Sequence, residues 1–170
     1  MERAARKVGV ATQRDIDPIA RLMQEHDVAM EQLSSLSKAT KIIEEHGLTP
    51  DAKRRVLRAL EFIEDEVSVH NTSEEQALFP VLERYVEGPT QLMREDHKVL
   101  KKEFFELRRA AIKLTRQARS RAAAEDFSTV AHRVIQIFVN HIHKENHILF
   151  PLVQKFLTKD ALREVARRMV

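Results

Sequence analysis

Apolar residues recur at intervals of three and four along most of the chain, the period of a helix that buries one face. Asp17-Pro18 reads as a helix cap followed by a first-turn proline, and Ile19, Leu22, His26, Met30 and Leu33 then mark one stripe until Gly47. Thr49-Pro50-Asp51 repeats that start signal, with Leu60, Ile63, Val67, His70, Glu74 and Leu78 on one face until Pro80 interrupts. A third stripe opens at Gly88-Pro89 and runs through Met93, His97, Leu100, Phe104, Leu107, Ala111 and Leu114 into the Arg/Ala-rich stretch 116–124. The fourth begins near Asp126 and carries Val130, Val134, Ile137, Phe138, His141, Glu145, Ile148 and Leu149 up to Pro151. Thr158 caps a short terminal helix that reaches Met169. Long amphipathic helices with short connections predict an all-α, up-down-up-down antiparallel four-helix bundle with a short extra C-terminal helix.

Composition narrows this picture. The 170 residues, 43% of them hydrophobic, suit one core, and 3 Gly and 5 Pro against 32% charged residues favour helix throughout. The expected organisation is a basic arm at 1–14, a bundle at 15–156 and a terminal helix at 157–170 packed on it. With no Cys, a metal would be held through His nitrogen and carboxylate oxygen, which favours iron or manganese. The 29 basic residues are interleaved with 26 acidic ones, so the net charge of +3 marks solvated helix faces and no nucleic-acid partner. No stretch approaches the ~20 apolar residues of a membrane span, so no membrane partner and a cytoplasmic location are expected.

The stripes carry an internal repeat. His-x-x-x-Glu-x-x-x-Leu-Phe-Pro occurs at His70–Pro80 and again at His141–Pro151, an offset of 141 − 70 = 71. The same offset takes His26 to His97, Glu25 to Asp96 and Leu22 to Met93. Each helix hairpin therefore supplies one His from its first helix and, 44 residues later (70 − 26 and 141 − 97), a His and a Glu from its second. The i, i+4 spacing stacks His70 with Glu74 and His141 with Glu145 on one helix face.

Six such groups inside apolar stripes need either a polar network or a cation, because burying imidazoles and carboxylates unpartnered costs several kcal/mol each. Two facing carboxylates can bridge two ions, with four imidazoles as terminal ligands and an oxo or hydroxo bridge, leaving one open position per ion. His143 and His147 lie about 200° and 240° round the helix from His141 and point elsewhere, and His46 and His132 read as surface residues. Leu-Phe-Pro is expected to end each helix and close the apolar end of the site.

The order His26, His70-x-x-x-Glu74, His97, His141-x-x-x-Glu145, each hairpin ending in Leu-Phe-Pro, resembles the hemerythrin-like family. The resemblance implies two non-haem iron ions held by His26, His70, Glu74, His97, His141 and Glu145. It implies roles that range over oxygen binding, nitric oxide or peroxide chemistry, iron-centre repair and sensing. Oxygen carriers of this kind have a further His where Lys101 stands here, so oxygen carriage is not expected, and Glu66 or Glu75 could substitute as a ligand. The cysteine-bearing N-terminal segment of many repair relatives has no counterpart in this sequence. The leading expectation is a protein that binds or reduces a small diatomic or peroxide ligand with electrons from an unidentified donor. The alternatives are a non-catalytic iron or oxygen sensor and a metal-free helical interaction module.

Overall fold

In a computed structural model of the chain, which describes residues 17–169, every regular element is helical. The basic arm at 1–14 lies outside the described residues. Helix α1 (Pro18–His46) starts where the Asp17 carboxylate accepts from the Ile19 N–H at 2.9 Å. It ends at Gly47, whose φ of 75° is a conformation that L side chains seldom adopt. Helix α2 (50–82) follows Thr49, which caps the Ala52 N–H at 3.2 Å. Helix α3 (Pro89–Arg116) follows Gly88, at φ 109°. Helix α4 (121–156) is capped by Ser120, and α5 (Lys159–Arg168) by Thr158. Each of these hydroxyl or carboxylate caps satisfies a backbone donor that the first turn leaves orphaned.

Two helices are longer than their prolines suggest. Pro80 and Pro151 do not end α2 and α4, which continue to Leu82 and Phe156. A wide π turn precedes each proline, Glu74–Leu78 in α2 and Glu145–Leu149 in α4, and a third spans Ile63–Val67. In the first two, the Phe79 and Phe150 N–H groups reach back five residues to the Glu74 and Glu145 carbonyls. The proline then sits in the first turn of the next α-helical piece, where a missing N–H is harmless. The start of α4 also differs from expectation. It begins at Arg121 rather than near Asp126, because Ser120 provides a cap and Ala122–Ala124 propagate helix well.

Helix α1 packs along α2 and α4, and α3 packs along α4. The interior falls into two apolar clusters with the six polar residues between them. Passing along α1 and along α3, one leaves a cluster containing Leu22 and Met93, crosses His26 or His97, and enters one containing Leu36 and Leu107. Along α2 and α4 the order is reversed, from Val67 or Ile142 through the Glu to Leu78 or Leu149. The cluster with Leu22 is closed by α5, which buries Ala161 and Val165 in it. Each fully buried Leu or Phe contributes about 1.5–3 kcal/mol, so both clusters stabilise the polar layer from either side.

The expected stripes hold except at a few positions. Met30 is 41% exposed because Ala29 takes the inward place, and Ile148 is 50% exposed because the π turn shifts the inner face to Leu149 and Phe150. Leu60, Phe104, Val130 and Ile137 are only partly buried.

Candidate metal centre

Four helices each bring one His to the polar layer: His26 from α1, His70 from α2, His97 from α3 and His141 from α4. Glu74 and Glu145, each the first residue of a π turn, are 0% exposed between them. All four rings turn Nε2 inward. Glu145 places Oε2 2.9 Å from His26 Nε2 and Oε1 3.1 Å from His141 Nε2, with His97 Nε2 at 3.7 Å. Glu74 places Oε1 3.6 Å from His70 Nε2 and Oε2 3.3 Å from His97 Nε2. Both carboxylates thus divide their oxygens between the two hairpins.

Two overlapping quartets result, His26, His70, Glu74 and Glu145, and Glu74, His97, His141 and Glu145, with donor atoms in each within 4.8 Å of one another. Both oxygens of Glu74 and of Glu145, and Nε2 of His97 and His141, are buried without a hydrogen-bond partner. Unpaired buried carboxylates are costly, and converging lone pairs of oxygen and imidazole nitrogen are a donor set that a cation satisfies. The residues present fit a pair of ions.

Three of the four outward nitrogens are also occupied. His70 Nδ1 lies 2.8 Å from Glu25 Oε2, His97 Nδ1 2.7 Å from Glu75 Oε1, and His26 Nδ1 2.7 Å from Asn146 Oδ1. His141 Nδ1, 3.5 Å from Asp96 Oδ2, is buried without a hydrogen-bond partner. A carboxylate partner accepts, so Nδ1–H donates outward and Nε2 is the nitrogen left facing in, where a metal or a proton can take its lone pair. Glu25 precedes His26 yet supports His70, and Glu75 follows Glu74 yet supports His97 on another helix. The ring of Phe150 stacks on His26 at 5.4 Å and that of Phe79 on His97 at 5.9 Å, so the Leu-Phe-Pro segments do cover one side of the cluster.

Electrostatics within the cluster are strong. Burial, reinforced by the charge of Glu145, holds Glu74 above the usual carboxylate range. Burial pushes Glu145 the same way, but its contacts with His141, His26 and His97 outweigh that and hold it well below. For His97, burial favours the neutral ring, yet Glu145, Glu74 and Glu75 together lift it to about 10. His70 is raised for the same reason, by Glu74 and Glu25 against burial.

The remaining candidates fall outside the cluster. His46, His132, His143 and His147 are exposed, and the His143 and His147 rings stack on each other at 4.0 Å. Lys101 and Glu66 are exposed, so neither joins the donors. Glu75 meets an outward nitrogen and not the interior. Sequence reading overlooked Asn146, the supporting roles of Glu25 and Glu75, and the place of Asp96 beside His141. The 71-residue offset was the available signal, since 25 + 71 = 96 and 75 + 71 = 146.

Comparison with known proteins agrees with this geometry. Residues 17–153 match the family described as the hemerythrin HHE cation binding domain. The iron-sulfur cluster repair protein YtfE of Yersinia pestis (strain Pestoides F) is 29% identical over 131 residues, covering 74% of this chain and 59% of that protein. The protein of the same name from Yersinia pseudotuberculosis serotype O:3 (strain YPIII) matches to the same extent. The chain therefore spans about three-fifths of the length of these relatives.

Proposed function

Because the chain belongs to the hemerythrin HHE cation-binding domain family, we propose that it holds two non-haem iron ions and binds or reduces a small ligand, dioxygen, nitric oxide or peroxide, there. The observation that carries this reading is the pair of fully buried, unpartnered carboxylates facing four inward Nε2 atoms. His26 and His70 would hold one ion, His97 and His141 the other, with Glu74 and Glu145 between them. An oxo or hydroxo bridge would complete the pair. The bundle is inferred to run up-down-up-down, supported by the alternating order in which successive helices cross the two apolar clusters.

Iron bound there supplies one-electron redox chemistry and coordination positions for a small ligand. The protein's part is to position and to exclude. Glu25, Glu75 and Asn146 hold the imidazole planes of His70, His97 and His26, and Phe79 and Phe150 keep water from one side. An electron donor would be needed for any reduction.

Elemental analysis tests the centre: about two iron ions per chain are expected, and His70→Ala or Glu145→Ala should lose most of the metal. Full retention in both variants would overturn the assignment. Consumption of nitric oxide or peroxide should disappear in the same variants. A second reading, handling of iron for cluster repair, is favoured by the named role of the Yersinia relatives, of which this chain spans 59%. It predicts iron transfer to an acceptor without turnover of either small ligand. Among the described residues no helix is long and apolar enough to cross a membrane.

A further inference from the structure

Helices α2 and α3 touch far less than the other neighbouring pairs, and their seam opens into a groove at the end of the bundle away from the polar layer. The groove has a volume of about 240 Å³. Its floor is apolar, with Val56, Leu60 and Leu114 in it. Leu57 and Ile112 form its rims and are 51% and 43% exposed. Phe105, one heptad before Ile112 on the same helix face, is 60% exposed. One turn from Leu60 and Ile112, the Arg108–Glu64 ion pair crosses the seam and bounds the groove. Toward the other end Lys53 and Arg116 stand in the walls, and among the described residues neither side chain forms an ion pair or a hydrogen bond.

A solitary exposed Leu needs no explanation, but exposed apolar rims continuous with a concave apolar floor mark a contact surface. Charge decides what kind. Residues 50–64 carry four Lys or Arg against three Asp or Glu, and residues 105–119 five against one. The two segments flanking the groove therefore hold a net charge of +5 (9 − 4), while the whole chain carries +3. A second copy meeting groove to groove would set like charges together. The chain's own segment 1–16, with Arg3, Arg6, Lys7 and Arg14 against Glu2 and Asp15, meets the same repulsion. A small molecule is a poor match, because 240 Å³ lies below the roughly 300–1,000 Å³ of ligand pockets and Leu57, Ile112 and Phe105 would stay in water. A flat lipid surface would leave the concave floor unfilled. A helix laid along the seam fills the floor and covers both rims together.

We propose that the seam between α2 and α3 is a docking groove for an acidic amphipathic helix of a partner protein. Its apolar residues, spaced at three and four, would sit between Leu57 and Ile112, and its carboxylates would meet Lys53 and Arg116. Leu60 precedes His70 by ten residues, about 15 Å of helix, so a partner can dock without covering the polar layer. The assignment stands independently of what that layer binds.

The test uses the full chain and a fluorescein-labelled synthetic peptide of about 20 residues, long enough to form a helix, with Leu on one face and Glu on the other. A second peptide carries Lys in place of Glu. Fluorescence anisotropy should show saturable binding of the acidic peptide, weakened by added salt, and none of the basic one. Leu57→Gln and Ile112→Gln should each weaken binding by about 10-fold or more, as loss of a central apolar anchor does. Lys53→Glu combined with Arg116→Glu should weaken it as well, most at low salt. Circular dichroism and iron content check that the variants keep their fold and their metal. No binding of the acidic peptide, equal binding of the basic one, or binding that none of these substitutions changes would overturn the proposal. So would a chain that ignores the acidic peptide but associates through Leu57 and Ile112 with phosphatidylserine vesicles or with its own copies.

Discussion

Each of the four imidazoles faces an inward carboxylate and three of them also donate to an outward support, and this arrangement sets how protons and metal compete. His97, lifted to about 10 by Glu145, Glu74 and Glu75 against the effect of burial, carries a proton at neutral pH in the metal-free cluster. A metal must displace that proton, since a ligating Nε2 has to be neutral. Uptake at pH 7 is therefore expected to release about one proton or more per chain, read by calorimetry in buffers of differing ionisation heat. Apparent affinity should fall as pH is lowered, because protons then compete more strongly for His97. It should rise as pH approaches about 10. An affinity that is flat with pH would contradict this.

Among the elements, the π turns at Glu74–Leu78 and Glu145–Leu149 explain how a helix can present a buried Glu, bring a Phe over a His and still continue through a proline. Stripe reading takes Pro80 and Pro151 as stops because it assumes a constant turn of 3.6 residues. The caps are simpler. Asp17, Thr49 and Thr158 were legible from residue type and the following helix pattern, and Ser120 acts in the same way. Ser120→Ala should cost about 1 kcal/mol, seen as a lower urea midpoint with an unchanged slope. No loss would mean that the first turn of α4 does not need its side-chain acceptor.

At the scale of the whole molecule, the apolar core is interrupted by a layer in which buried carboxylates face one another. Such a layer destabilises the metal-free fold and becomes favourable once its lone pairs meet cations, so metal affinity should appear as fold stability. With free metal at 100 times its Kd the gain is about 2.7 kcal/mol for each ion bound, which for a chain of this length raises Tm by about 5–10 °C per ion. Differential scanning calorimetry of loaded and chelator-stripped protein checks it. Equal melting would show that the folded chain gains nothing from the ion. Lys101, exposed on α3, is expected to contribute to neither state of the layer.

The helical class, the four long stripes and the group of six polar residues follow from the sequence because each is a local or repeated pattern. An i, i+4 pair shares a helix face wherever that helix lies, and the offset of 71 sets two such pairs in equivalent places. Tertiary structure alone decides which imidazole each outer group supports: Glu25 reaches His70, Glu75 reaches His97 and Asn146 reaches His26, all across helices. Those contacts depend on which helices are neighbours and on how far a π turn rotates the chain, and neither quantity is encoded in the spacing of residues along one helix.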